Sequence, residues 1–256
     1  MSGTKIVNTI SRGAEVLNVL SEGYNRLEDI YRRVGINKST THRLLKSLVS
    51  SELAFQSPVN RNYFLGPFFL RLASNPTVSH QMLILSSIDE LRKLRDFSGE
   101  TSLIMIPNGD QRFVVKEVRS KQNIALSLGD GSTVPLYVGS SGRTLLSQYT
   151  DEDLNKILSN IDMVPVSPNT IIKENPLKKE IDKIRKKGHG TSSGEMLPDS
   201  AGISVPVKGY FCPVALCVIG PKFRFKPLSI LDELNQTATR ISERLLLSEE
   251  NTRSIR

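Results

Sequence analysis

Residues 27–65 constrain this chain more than any other stretch. An apolar set at helical spacing, Leu27, Ile30 and Val34, runs up to Gly35, where a helix must stop and turn. Asn37 then stands as a cap before a second set, Thr41, Leu44, Leu45 and Leu48. Beyond it, Leu53–Gln56 and Asn62–Leu65 predict two strands paired across Ser57-Pro58-Val59-Asn60, with Arg61 near the tip. Two helices across a tight turn followed by a two-stranded wing form a winged helix-turn-helix, a shape that sets one helix into a DNA groove.

The outer face of that second helix carries Lys38, Ser39, Thr40, His42, Arg43 and Lys46. These are hydrogen-bonding and cationic groups, the chemistry that base edges and phosphates accept. A plain solvated face would mix signs to lower self-repulsion, yet no acidic residue occurs from Gly35 to Ser51. Arg61 is placed to enter a minor groove or hold a phosphate, its plainer role being that of a hairpin residue. Residues 1–65 hold nine Lys and Arg against five Asp and Glu, and the other 191 hold 25 against 21, so positive charge is about threefold denser at the N-terminal end. Double-stranded DNA is the expected partner.

Length and composition bound the rest. A chain of 256 residues with 38% apolar content and no run of about 18 apolar residues has room for one or two domains and no membrane span. The start, Met1–Lys5, leads into an amphipathic helix (Ile10, Ala14, Leu17, Leu20) without the apolar core of a secretory signal. Cys212 and Cys217 lie five apart in a predicted strand, hence on opposite faces, with neither disulfide, redox nor zinc spacing. Cytoplasmic residence is expected. His42, His80 and His189 are scattered, so no metal site is expected. Gly139-Ser-Ser-Gly-Arg-Thr144 looks like a phosphate loop, but Tyr137 stands where its first Gly would be and Arg143 where its Lys would be. Without a nucleophile elbow, dinucleotide fingerprint or zincin motif, no catalytic residue and no cofactor are expected.

The pattern divides the chain into 1–66, a DNA-binding domain; 67–80, a linker helix region opened by Gly66-Pro67 and stopped by Asn75-Pro76; and 81–256, a mixed α/β domain. In the last of these a helix is predicted over Thr77–Asp96 with Leu85, Ile88, Leu91 and Leu94 on one face. Strands are predicted at Thr101–Ile106, Arg112–Val118, Ile124–Leu128, Ile203–Val207 and Val214–Ile219. Helices are predicted at Ser141–Gln148, Asp151–Ser159, Pro176–Lys187 (capped by Asn175, ended by Gly188) and about Pro227–Ser248.

Taken together, several motifs in order resemble the IclR family of transcription regulators over nearly the whole length. They are Lys38-Ser-Thr-Thr-His-Arg-Leu-Leu45 running on to Leu48, Tyr63-Phe-Leu-Gly-Pro67, Gly99-Glu-Thr101, Pro135-Leu-Tyr-Val-Gly-Ser-Ser-Gly-Arg143, Pro198–Val207 and Ala215–Pro221. The resemblance implies an α+β chain: a winged helix-turn-helix joined by a linker helix to a GAF-like α/β domain that binds a small-molecule effector, assembled as homodimers or homotetramers. Relatives that bind small carboxylates present a cysteine on one strand and two serines on another. Here Gly202 stands at the cysteine position, Cys217 and Ile219 at the serine positions, and Ser192 where an acidic contact is common. Losing those groups removes donors for a compact anion, so a neutral or larger ligand is expected. Met105, Leu136, Ser192, Gly202, Ser204, Cys217 and Ile219 are the candidate lining residues, although alternation along a strand fills a core as readily as it lines a cavity.

The expected function is a ligand-responsive regulator on a pseudo-palindromic operator. The alternative is a constitutive, architectural DNA-binding protein whose second domain only oligomerises. An enzyme has no reactive constellation to use.

Overall fold

A computed structural model describes residues 8–73 and 76–254. The chain forms two compact units, one up to Ser79 and one from His80. In the first, α1 (Asn8–Ser21), α2 (Leu27–Val34) and α3 (Lys38–Ser50) are followed by β1 (Ala54–Gln56), β2 (Tyr63–Leu65), α4 (Pro67–Ala73) and α5 (Pro76–Ser79). The segment read as a linker thus forms α4 and α5, both within the first unit. Its predicted stop at Asn75 lies outside the described residues, as does the Met1–Lys5 start.

The turn between α2 and α3 has the predicted chemistry. Gly35 takes a left-handed backbone (φ 71°) and its N–H donates to the Tyr31 carbonyl, closing α2. Asn37 opens α3 by accepting the Thr40 N–H at 2.8 Å. The core of this unit joins Ile30 of α2, Leu45 and Leu48 of α3, Ala54 and Tyr63 of the wing, and Val16, Val19 and Leu20 of α1. Here α1 departs from the predicted face. Ile10 is 72% exposed and Gly13, Val16, Val19 and Leu20 are buried instead, because a 3.6-residue period leaves two adjacent stripes to choose from and packing selects one.

The second unit is a six-stranded antiparallel sheet in the order β5-β4-β3-β8-β7-β6. Its elements are α6 (Gln81–Ser98), β3 (Thr101–Asn108), β4 (Gln111–Val118), β5 (Thr133–Pro135), α7 (Gly139–Leu146), α8 (Asp151–Ser159), α9 (Glu174–Lys187), β6 (Gly190–Ser193), β7 (Ser200–Val207), β8 (Val214–Pro221), a 3-10 turn at Pro227–Ile230 and α10 (Leu231–Ser254). Strand alternation sorts the sheet into two cores. Ile104, Val115, Ile203, Leu216 and Val218 pack against Leu91 of α6 and Leu234 and Ile241 of α10. Leu103, Met105, Val114, Ala215 and Cys217 pack on the opposite side against Leu145 of α7, Leu154 of α8 and Ile181 of α9.

Several boundaries differ from the pattern. No strand forms at 124–128, and the short edge strands β5 and β6 carry too few apolar residues to be read. The predicted 77–96 helix is two, α5 and α6. On α6 the buried face is Leu83, Ser87, Glu90, Leu91 and Leu94, while Leu85 is 66% exposed. Helix α9 starts at Glu174 with Lys173 as its cap, so Pro176 lies inside its first turn and Asn175 is not the cap. Cys212 precedes β8 and packs with the α6/α10 core, whereas Cys217 sits in the α7 core; both thiols are free.

Glu90 holds α6 to α10. Its side chain is fully buried and accepts from Arg240 Nε at 2.6 Å, Arg244 Nη2 at 2.9 Å and Lys93 Nζ at 3.0 Å. Burial alone raises its pKa, but the hydrogen bonds from Lys93 and Arg240 outweigh that and hold it below the ordinary 4.5. A carboxylate depressed in the folded state stabilises fully above its unfolded pKa and loses that contribution as pH falls through the folded one. Glu90→Gln is expected to cost about 1–3 kcal/mol at neutral pH. The gap in melting temperature from wild type should shrink as the buffer passes below about pH 4.5, and a gap unchanged at about pH 3 would remove Glu90 from the acid-sensitive groups.

Candidate DNA-contact and ligand sites

In the first unit the seven residues expected to touch DNA fall into two groups. Lys38 is held by Glu28 of α2 at 2.7 Å, so the acid-free stretch seen in the sequence is partly neutralised from the neighbouring helix. Ser39 Oγ donates to Asn37 Oδ1 at 2.9 Å, and Thr40 lends its N–H to the same oxygen, so both belong to the cap. Arg43 and Lys46 are exposed and make no ion pair among the described residues. His42 and Lys46, one turn apart on α3, face a groove of about 520 Å³ whose far wall includes Asn60 and Arg61 of the wing. Arg61 takes a left-handed backbone (φ 62°) and follows the tip, where Val59 is 91% exposed. Its position is fixed by backbone bonds, Arg61 N–H to the Ser57 carbonyl at 3.0 Å and Gln56 Nε2 to the Arg61 carbonyl at 3.0 Å. Arg26, at the start of α2, also lines the groove. It lies outside the apolar pattern, and its cationic character was the only signal for it.

In the second unit Met105, Leu136, Ser204 and Cys217 do not line either of the two cavities beside α7. Met105, Leu136 and Cys217 are buried core, and Ser204 is buried with its hydroxyl 2.8 Å from Thr144 Oγ1. They share the α7 side of the sheet with Gly202 and Ile219, but α7 closes over them. Burial pushes the Cys217 thiol up to about 11, leaving it an unreactive neutral group. Ser192, Gly202 and Ile219 do line a small cavity of about 50 Å³, and Ser192 also borders a larger, more open one of about 690 Å³.

Three charged residues that the pattern did not single out as a site meet here. Arg143 of α7 is 2% exposed and pairs through both terminal nitrogens with Glu195, Nη2 to Oε1 at 2.8 Å. It also donates to the Thr191 carbonyl at 2.8 Å. Glu195 accepts the Gly139 N–H at 3.1 Å, placing its carboxylate at the positive end of α7. The backbone around Glu195 is held in turn by Ser167 Oγ on the Gly194 carbonyl and Thr170 Oγ1 on the Glu195 carbonyl, 2.6 and 2.7 Å. The residue type at 142 makes this packing possible, because a Cβ on Gly142 would lie 2.0 Å from the Leu136 carbonyl oxygen. Arg112 of β4 is 3% exposed, and burial pushes its pKa down to about 10. It donates to the Pro135 carbonyl, its Nε has no hydrogen-bond partner, and no carboxylate pairs with it among the described residues.

Residues 9–58 match the IclR helix-turn-helix domain, and residues 76–243 match the bacterial transcriptional regulator IclR C-terminal domain. The chain is 26% identical over 204 residues to a probable transcriptional regulator, SauR, of Cupriavidus necator, covering 77% of this chain and 78% of that one. It is 25% identical over 194 residues to the HTH-type transcriptional repressor AllR of Escherichia coli K12, covering 75% and 71%. In fold it is similar to the crystal structure of an IclR homolog complexed with 4-hydroxybenzoate from Microbacterium hydrocarbonoxydans, with TM-score 0.61, 18% identity, and coverage of 93% of this chain and 99% of that one.

The unpaired cations on α3 generate a test by anisotropy titration on duplex DNA. Arg43→Glu is expected to weaken specific binding by about 1–3 kcal/mol or more, through a lost base contact and added phosphate repulsion. Lys46→Ala should lower affinity on all sequences alike and reduce the salt slope by about one counterion. Wild-type binding by Arg43→Glu would place the groove contacts elsewhere.

Proposed function

The chain belongs to the IclR family, whose members are DNA-binding transcriptional regulators and not enzymes, and from that premise we propose a one-component, ligand-responsive regulator of pseudo-palindromic operator DNA. The observation that carries the reading is the groove on the first unit, where His42 and Lys46 of α3 face Arg61 of the wing. A helix in a major groove with a cationic wing beside it contacts base edges and backbone together. Arg43 and His42 lie nearest base edges, Ser39 and Thr40 read base or phosphate from the cap, and Lys38, Lys46 and Arg61 serve the backbone.

The division of labour follows the chain: residues 1–66 bind DNA, 67–80 form the linker region, and 81–256 bind the effector and oligomerise. A homodimer, or a pair of dimers, presents two reading units to an inverted repeat. The cavities beside α7 are the effector site, and the relative solved with 4-hydroxybenzoate supports a small molecule there. The effector acts only by preferring one arrangement of the assembly, since equal affinity for both shifts nothing. No helix among the described residues is long and apolar enough to cross a membrane, and a regulator of this kind works in the cytoplasm.

The test is selection of genomic fragments by the purified chain at near-physiological salt, each titrated against a scrambled control. A few sites sharing an inverted repeat, bound about a thousandfold or more tighter than the control, are expected. Uniform, steeply salt-dependent binding without a shared sequence would replace this reading with an architectural protein.

A further inference from the structure

The charges buried beside α7 do not cancel. Arg143 and Glu195 satisfy one another through a two-pronged pair, and the remaining capacity of Glu195 is taken by the Gly139 N–H. Arg112 is left as a second buried cation on the same side of the sheet, with a backbone carbonyl as its acceptor and an unpartnered Nε. An ionised group removed from water without a counter-charge is costly, and charged side chains are almost never fully buried unless paired. The protein keeps one there.

The space around that guanidinium is shaped for something small. Arg112 lines the 50 Å³ cavity, which holds a few waters or a carboxylate with one or two carbons, on the order of that volume. Arg112 Nη2 and Ser192 Oγ converge, each 3.8 Å from the point where a Cβ on Gly139 would stand. Across the slot, a Cβ on Gly202 would lie 3.0 Å from Ser192 Oγ and 3.2 Å from Ser140 Oγ, so the bare glycine keeps open a volume bounded by two hydroxyls. Farther out the wall turns apolar, at Leu126 and Leu128 on one loop and Met196 and Leu197 on another.

We propose that this slot binds the carboxylate of a small monoanionic organic acid, with Arg112 as the residue that selects it. The proposal rests on reading the second unit as the effector domain and gives that effector a chemical class. A monoanion brings the buried sum of Arg112, Arg143 and Glu195 to zero, a neutral ligand leaves the Arg112 charge unpaired, and a dianion overshoots. The carboxylate takes the guanidinium of Arg112 and the hydroxyls of Ser192 and Ser140, while a short apolar body points to Leu126 and Leu128. The donors lost at Gly202, Cys217 and Ile219 are thereby replaced from a different strand, and the expectation of a neutral ligand drawn from those positions is reversed.

Calorimetric titration of the full chain tests this with acetate, propanoate, pyruvate and 2-oxobutanoate, each beside its primary amide, and with malonate as the dianion. At least one monocarboxylate is expected to saturate, with its amide and malonate about tenfold or more weaker. Arg112→Met should bring that acid down to the level of its amide, with a ligand-free melting temperature equal to or above wild type because an unpaired buried charge has gone. Gly202→Ala fills the slot without touching Arg112 and should lower affinity for the acid, which decides the matter if Arg112→Met does not fold. Amides that bind as well as acids, an acid preference that survives Arg112→Met, or no saturation by any of the four acids up to about 10 mM would overturn the proposal. Operator affinity measured in the same titrations separates the two readings. An acid that binds as expected without changing it removes ligand response and keeps the site, whereas a response to the amides with no acid preference removes the site and keeps the regulator.

Discussion

The buried pair between Arg143 and Glu195 is the interaction on which the second unit's functional face depends. Two charges withdrawn from water repay their desolvation only when geometry is good and the leftover donors and acceptors are met. Here both carboxylate oxygens are used, and the same guanidinium reaches the Thr191 carbonyl. The pair therefore fixes three things together: the start of α7, the edge strand β6, and the segment through Gly194 that Ser167 and Thr170 hold from behind. It also settles the local electrostatics. A carboxylate already occupies the positive end of α7, so the phosphate-loop-like run Gly139–Thr144 faces an internal anion, and the neighbouring Arg112 is the cation left over.

The DNA-reading unit rests on subtler constraints. Its core is small, so the ends of α2 and α3 matter: Gly35 turns the chain in a left-handed conformation and Asn37 collects the first donors of α3. The same cap draws in the Ser39 hydroxyl, and Glu28 draws in Lys38. Both exposed ion-pair partners retain much of their hydration, so this contact tempers the field at the N-terminus of α3 without abolishing it. The uncompensated charge moves down the helix, to Arg43 and Lys46, and across to Arg61.

Much of this was legible. The helix-turn-helix, the wing, the cap at Asn37 and the paired strands β3 and β4 could be read because each rests on contacts between residues near in sequence. Alternation placed Gly202, Cys217 and Ile219 on one side of the sheet, which is as far as alternation reaches. Whether such a residue lines a cavity or fills a core depends on how far α7 covers it, and that is set by residues dozens of positions away. Short strands at the sheet edges, and the choice between Ile10 and Val16 as the buried stripe of α1, escaped for the same reason.

By itself the sequence determined the family, the order of elements and the cationic outer face of one helix, since these follow from local periodicity, capping and charge. Only the tertiary structure decided which cations are neutralised and which are not. Lys38 and Glu28 stand ten residues apart, Arg143 and Glu195 fifty-two, and Arg112 shows nothing in its neighbours to say that it is dry and unpaired. Charge compensation acts through space over a few ångströms, so it becomes defined only when distant segments are packed together.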